Sequence, residues 1–221
     1  MSVKCQIRDI GGLHKDLEKM KEAPTKVLQN LTADAKKRIP GWVAAEVTKQ
    51  YGVKKSEITK SEIGKVRVEG RKIQNVKIIY TGRVLTPTHF SMSPKAPKPN
   101  RGSYTLKATI IKGERATLGK VKKLTKKQRA AMAKNFRRQG TQTSDHSPVM
   151  LMYTGNQRPG GTNYIPFQRK SVRRNDVYAV KTVSLPQMVS SERTKEGIQK
   201  AITDGLSKRL DHHMNRFMPG D

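Results

Sequence analysis

Five histidines, one cysteine and 17 carboxylates are the side chains from which this sequence could build a reactive centre. Asp211, His212 and His213 are consecutive in a segment of helical period. Adjacent helical residues point about 100° apart, so these two imidazoles do not share a metal as an i, i+4 pair does. They read as a solvated polar face near a helix end. Asp145-His146 and His89 fall in loops and His14 near the start of an N-terminal stripe, none with a companion at a useful spacing. Cys5 stands alone near one end, which excludes an internal disulfide and a cysteine-based zinc site. Gly11-Gly12, Gly155 and Gly160-Gly161 lack the strand-to-helix setting and the Lys-Ser/Thr or GxGxxG spacing of a phosphate cradle, so they read as turns. A metal-dependent nuclease would suit a basic chain but needs two or three converging carboxylates, for which the acidic side chains are scarce. The expectation is a protein without catalytic residues, metal or cofactor.

What the chain has in excess is positive charge: 46 Lys and Arg against 17 Asp and Glu, a net +29. Such a charge repels itself in a compact state and is best tolerated beside a polyanion or an acidic protein. Residues 113–140 concentrate it, with Arg115, Lys120, Lys122, Lys123, Lys126, Lys127, Arg129, Lys134, Arg137 and Arg138 against Glu114 alone, or +9 in 28 residues. Each Lys or Arg that meets a phosphate releases counterions and adds affinity independent of base sequence. Phe136 is the one aromatic residue there, so no ladder for stacking bases is expected. The segment is expected to contact DNA or an acidic partner.

The elements that must carry this charge follow from the periods. Over 221 residues one domain is expected. Its parts are a helical portion over 1–60, a sheet over 65–185 and a C-terminal helix over 190–218. Leu13, Leu17, Met20, Val27, Leu31 and Ala35 lie on one helical stripe, and Pro40 is well placed to start a second helix over Ile39–Tyr51, stopped by Gly52. The following Val53–Thr59 suggests a helix-turn-helix only superficially, because no three-helix core surrounds it. From Lys65 the period becomes two: Val66 and Val68; Val76, Ile78 and Tyr80; Tyr104, Leu106, Ala108 and Ile110; Val149, Leu151 and Tyr153; Ile165 and Phe167; then Val177–Val183. Gly155–Asn163 is expected to turn one strand back on another. Two exposed insertions are expected, a Pro-rich loop over 81–102 and the basic segment over 113–140. Ile198, Ile202, Leu206, Leu210, Met214 and Phe217 line one slanting face of the last helix, suited to crossing a sheet. The class is α+β: a central, mostly antiparallel sheet flanked by helices from both ends. No run reaches the roughly 18–20 apolar residues of a membrane helix, so no membrane partner is expected.

Three segments carry a resemblance. Arg38-Ile39-Pro40-Gly41-Trp42-Val43-Ala44-Ala45-Glu46-Val47 with Tyr51-Gly52-Val53, Tyr80-Thr81-Gly82-Arg83 leading into the Pro-rich 85–99 loop, and Ser184-Leu185-Pro186-Gln187-Met188-Val189 follow one another along nearly the whole chain. In this order and spacing the sequence resembles the minor tail protein Z family of tailed bacteriophages, the tail-completion or neck proteins. The resemblance implies a virion protein, made in the host cytoplasm, that completes the head-proximal end of the tail and joins it to the head without catalysis. It implies as partners further copies in a ring, the tail terminator and head-tail adaptor proteins, and the phage genomic DNA. Pro87, Pro94, Lys95, Pro97, Lys98, Pro99 and Arg101 would then form an arm toward a neighbouring subunit. The other reading is a free, sequence-independent nucleic-acid-binding protein, distinguished by a soluble species whose DNA affinity falls steeply with salt.

Overall fold

Val27, Leu31, Ala35, Ile39, Val43 and Val47 stand four apart, and in a computed structural model all six are fully withdrawn from solvent along one stripe of a single helix, α1 (Thr25–Gln50). The structure describes residues 3–7, 25–59, 64–98, 102–122, 127, 130, 149–158, 161–169 and 176–217. Leu13, Leu17 and Met20 lie outside them. Pro40 does not start a helix; it sits inside α1. A proline there removes one backbone hydrogen bond at a cost of roughly 3 kcal/mol. Burying Val27, Leu31, Ile39, Val43 and Val47 at about 1.5–3 kcal/mol each outweighs that, so packing carries the helix through.

Contacts divide the chain into two compact units, residues 1–84 with 183–221, and residues 85–182. In the first unit α1 is followed by a short helix, α2 (Lys55–Thr59), too brief to serve as a recognition helix. Strand β1 (Val3–Ile7) lies in a stretch expected to be helical. It pairs antiparallel with β3 (Lys77–Gly82), as does β2 (Gly64–Glu69), in the order β1-β3-β2. Ile78, Ile79 and Tyr80 are all buried in the central strand, so strict alternation fails where both faces are covered. Val76 closes a 3₁₀ turn instead of belonging to the strand.

After residue 183 the chain returns to this unit. Ser184 bridges to Val84 and caps α3 (Leu185–Ser190). The Ser184 and Gln187 side chains each satisfy the other's backbone N–H, a capping box, with Pro186 in the first turn. Replacing Ser184 by Ala should lower stability by about 1 kcal/mol, read as a shift in the urea midpoint at unchanged slope. Helix α4 (Glu192–Phe217) buries Ile198, Ile202, Leu206 and Leu210, again four apart. Its stripe packs on that of α1, and the slant expected to cross a sheet instead matches two rows of step four between helices.

The second unit holds two three-stranded antiparallel sheets. One orders β4 (Ser91–Ser93), β5 (Ser103–Thr109) and β6 (Ala116–Lys122); the other orders β7 (Met150–Arg158), β8 (Thr162–Arg169) and β9 (Val177–Ala179). The class is α+β as expected, with the strands among the described residues shared among three small sheets. The β7–β8 hairpin runs to Arg158 opposite Thr162, with an irregularity at Gly155, so most of the expected turn is strand. Tyr153 is not half-buried there but 63% exposed, edge-on to Tyr164 across the pair. Where the chain enters and leaves the unit, the Thr182 N–H and hydroxyl both donate to the Leu85 carbonyl, at 2.8 and 3.0 Å.

Candidate functional site

The second unit concentrates the charge that the sequence as a whole displays. Its 98 residues carry 21 Lys and Arg against Glu114, Asp145 and Asp176, a net +18, while the other 123 residues supply +11. The sheet β4-β5-β6 determines where part of this charge points. Side chains of paired residues lie on the same face of a sheet, and the register sets Ser93 beside Lys107 beside Thr117, Thr105 beside Lys120, and Ser103 beside Lys122. Ser91, Ser93, Ser103, Thr105, Lys107, Thr117 and Lys120 are exposed, whereas Met92, Leu106 and Ala108 on the opposite face are buried. One side of the sheet therefore belongs to the core and the other is a lawn of hydroxyls and ammonium groups.

A bulge keeps the two strands in this phase. Leu106 pairs with Gly119 and Lys107 with Thr117, so Leu118 is the extra residue. Gly119 has φ of +147°, and a β-carbon there would collide with the Val149 side chain, which packs against it. The Val149 N–H in turn donates to the Lys120 carbonyl at 3.3 Å. Lys120 thus stands on backbone fixed from both sides, and it is exposed on the open face.

The expected site residues divide accordingly. Lys120 and Lys122 lie in strand β6 and not in an insertion, and Lys127 is helical and exposed. Lys123, Lys126, Arg129, Lys134, Arg137 and Arg138 lie outside the described residues. In the expected arm, Pro87 and Thr88 are buried in a 3₁₀ turn, followed by buried Phe90 and Met92, because apolar residues there complete the core of the unit. Of the residues expected to form the arm, Lys95, Pro97 and Lys98 are exposed and Pro94 is half-buried. The Thr162 hydroxyl donates to the Lys95 carbonyl, tying this stretch to β8. Pro99 and Arg101 lie outside the described residues.

The histidines correct a second expectation. Asp211 and His212 are exposed, but His213 is only 6% exposed and its Nε2 lies 3.0 Å from Asp34 of α1. Arg209, one turn earlier, also donates to that carboxylate oxygen, and Arg38 reaches the other at 3.2 Å. Burial alone would raise the Asp34 pKa. Hydrogen bonds from Arg209, Arg38 and His213, with the charge of Arg209, outweigh it and bring the carboxyl from 3.8 to about 2. The Nδ1 of His213 is buried with no partner among the described residues. Asp34/Arg38 and Arg209/His213 are each i, i+4 pairs, a helix-surface signal visible in the sequence, though it does not reveal that the two pairs meet. One carboxylate held ionised by two guanidinium groups is a joint between helices; it is a poor proton acceptor, so general-base chemistry is not what this cluster is built for.

His89 ends the buried 3₁₀ turn, and His14, Asp145 and His146 lie outside the described residues. Among the described residues no three His, Cys, Asp or Glu side chains are grouped to hold a metal ion, and no helix is long and apolar enough to cross a membrane. No protein-family model matches the chain, and neither the curated proteins nor the solved structures contain a match.

Proposed function

We propose that the chain is a structural virion protein that completes the head-proximal end of a bacteriophage tail. In this reading copies of it form a ring that meets the tail terminator and the head-tail adaptor and positions the DNA between head and tail. The observation that carries the proposal is the division of labour between the units. Residues 85–182 hold +18 with three carboxylates and are inserted in the chain between residues 84 and 183, next to which two of the segments of resemblance, 80–83 and 184–189, lie. Ile39, Val43, Ala44 and Val47 form the buried face of α1; Tyr80 is the buried end of the central strand; Ser184–Val189 is the capped entry to α3. The residues that carry the resemblance thus do architectural work, as a virion scaffold requires, and the charged unit is left to engage a polyanion.

Interrupting the reading frame in the phage that encodes the chain should leave filled heads and tails unjoined, with purified protein restoring infectivity. Changing Lys122, Lys123, Lys126 and Lys127 together to Glu should lower the yield of joined particles at least tenfold. Electron microscopy of intact virions should find the chain at the head-proximal end of the tail; virions that lack it would overturn the reading. The free nucleic-acid-binding alternative predicts a soluble species that never enters the particle.

A further inference from the structure

We infer that the outer face of the β4-β5-β6 sheet is a docking surface for the phosphate backbone of duplex DNA, with Lys107 and Lys120 as its central contacts. The inference deepens the tail-completion reading and rests on it for the presence of packaged duplex DNA. It adds to the run of charge from residue 122 onward a surface that strand pairing assembles.

Four observations favour this occupant. The face bears lysines and hydroxyls: Ser91, Ser93, Ser103, Thr105, Lys107, Thr117 and Lys120 are all exposed, and these are the side-chain types that position a protein on phosphate and sugar without reading bases. Its charge is nearly unopposed, since Glu114, in the turn joining β5 to β6, is the one carboxylate in the sequence between residues 85 and 122. Among the described residues of its three strands, this face shows no large apolar or aromatic anchor of the kind that carries the energy of protein–protein docking. Among the described residues of its three strands the cations are lysines, and a lysine acts on phosphate as a point charge tolerant of sliding.

The geometry is compatible with a polyphosphate. Same-face residues on a strand fall about 6.6–6.8 Å apart, twice the roughly 3.4 Å axial rise per phosphate of one DNA strand. Lys107 lies diagonal to Lys120 across β5 and β6, with Thr105 and Thr117 at the other corners of that square. Cationic and hydroxyl groups therefore alternate over a surface of strands about 4.8 Å apart. The contacts carry no base sequence information, as a protein threaded by an entire genome requires.

The test uses the full chain and a fluorescein-labelled duplex of random sequence, about 30 base pairs long, with affinity measured by anisotropy across a salt series. Lys107→Gln with Lys120→Gln should weaken binding about tenfold at 0.1 M salt and flatten the log–log salt slope by about 2, close to 0.9 per lost phosphate contact. Lys195→Gln with Lys200→Gln, both exposed on α4, removes the same charge and should leave the slope unchanged. Equal losses in the two pairs would mean diffuse attraction and overturn the inference, as would failure of the parent chain to bind the duplex at about 50 mM salt. A polyglutamate competitor that displaces the duplex at equal charge concentration would point to an acidic protein and overturn it too. Amine labelling of the unmutated chain gives a readout independent of variant folding: bound duplex should protect Lys107 and Lys120 and leave Lys195 and Lys200 reactive, and unprotected Lys107 and Lys120 would count against the surface. Loss of DNA binding without loss of virion incorporation would sink this inference alone, whereas absence from the virion would sink the tail-completion reading.

Discussion

Asp34→Ala should destabilise the helical unit by on the order of 2 kcal/mol at neutral pH, and its unfolding should lose a dependence on acid that the parent chain has. The carboxyl sits at about 2 in the folded chain against an ordinary 3.8, and each tenfold weakening of proton binding on folding corresponds to about 1.4 kcal/mol of differential stabilisation. A depressed carboxylate pKa stabilises the fold above the unfolded value. That contribution is complete at neutral pH, begins to fade as the pH falls through about 3.8, and is gone below about 2. Asp34 and Arg209 are partly open, with 16% and 24% of their side-chain surface exposed, so water softens the loss below the 3–5 kcal/mol typical of breaking a fully buried pair. Asp34→Asn separates charge from shape. It keeps an acceptor for Arg209 or His213 but no longer titrates, so its chemical unfolding midpoint should be lower than the parent's at neutral pH and converge with it as the pH falls from about 4 to about 2. Parallel curves over that range would remove the Asp34 carboxylate from the stability of the helix pair.

This cluster marks how far the sequence could be read. The residues buried by α1 and α4 were legible because both stripes keep a step of four, and a helix closes the described chain where its periodicity placed one. The extent of α1 was not legible, because Pro40 is a local signal for a helix start and its cost is overcome only by burial against α4, which no short window contains. Likewise His213 looked like one member of a polar helix end, since its neighbours Asp211 and His212 are indeed exposed; its burial depends on a carboxylate 179 positions away. The strands repeat the lesson. Alternation identified β5, where Leu106 and Ala108 are buried and Lys107 is exposed, but gave Tyr153 an inward position although it lies in an edge strand. Counting charges along the chain drew attention to Lys120 and passed over Lys107, which stands among apolar and hydroxyl neighbours. The two become one surface only through the β5–β6 register and the bulge at Leu118 that sets its phase.

Gly205→Leu should cost the helical unit about 3 kcal/mol or more. A β-carbon at residue 205 would lie 2.7 Å from Cζ2 and Cη2 of Trp42 and 2.8 Å from Cζ3, well inside the roughly 3.5–4.0 Å of favourable carbon contact. The indole on α1 therefore rests directly on the backbone of α4, and the first atom of any side chain there must displace it. Gly205→Ala isolates this steric term. A glycine-to-alanine change inside a helix favours folding by roughly 0.5–1 kcal/mol, while overpacking a closed contact costs typically 1–3 kcal/mol, so a net loss of about 1 kcal/mol is expected. Leucine adds further atoms to the same space without further helical gain. Trp42→Phe in the Gly205→Ala background removes the colliding part of the ring and should recover most of the loss, a coupling between the two positions that independent sites would not show. Trp42 is the one tryptophan of the chain, and it lies in the first unit, so its emission follows the helix pair without interference from the basic unit. A thermal midpoint by Trp emission that rises in Gly205→Ala by the full helix-propensity gain would mean that the indole yields without cost and that the close approach of α1 and α4 does not constrain the pair.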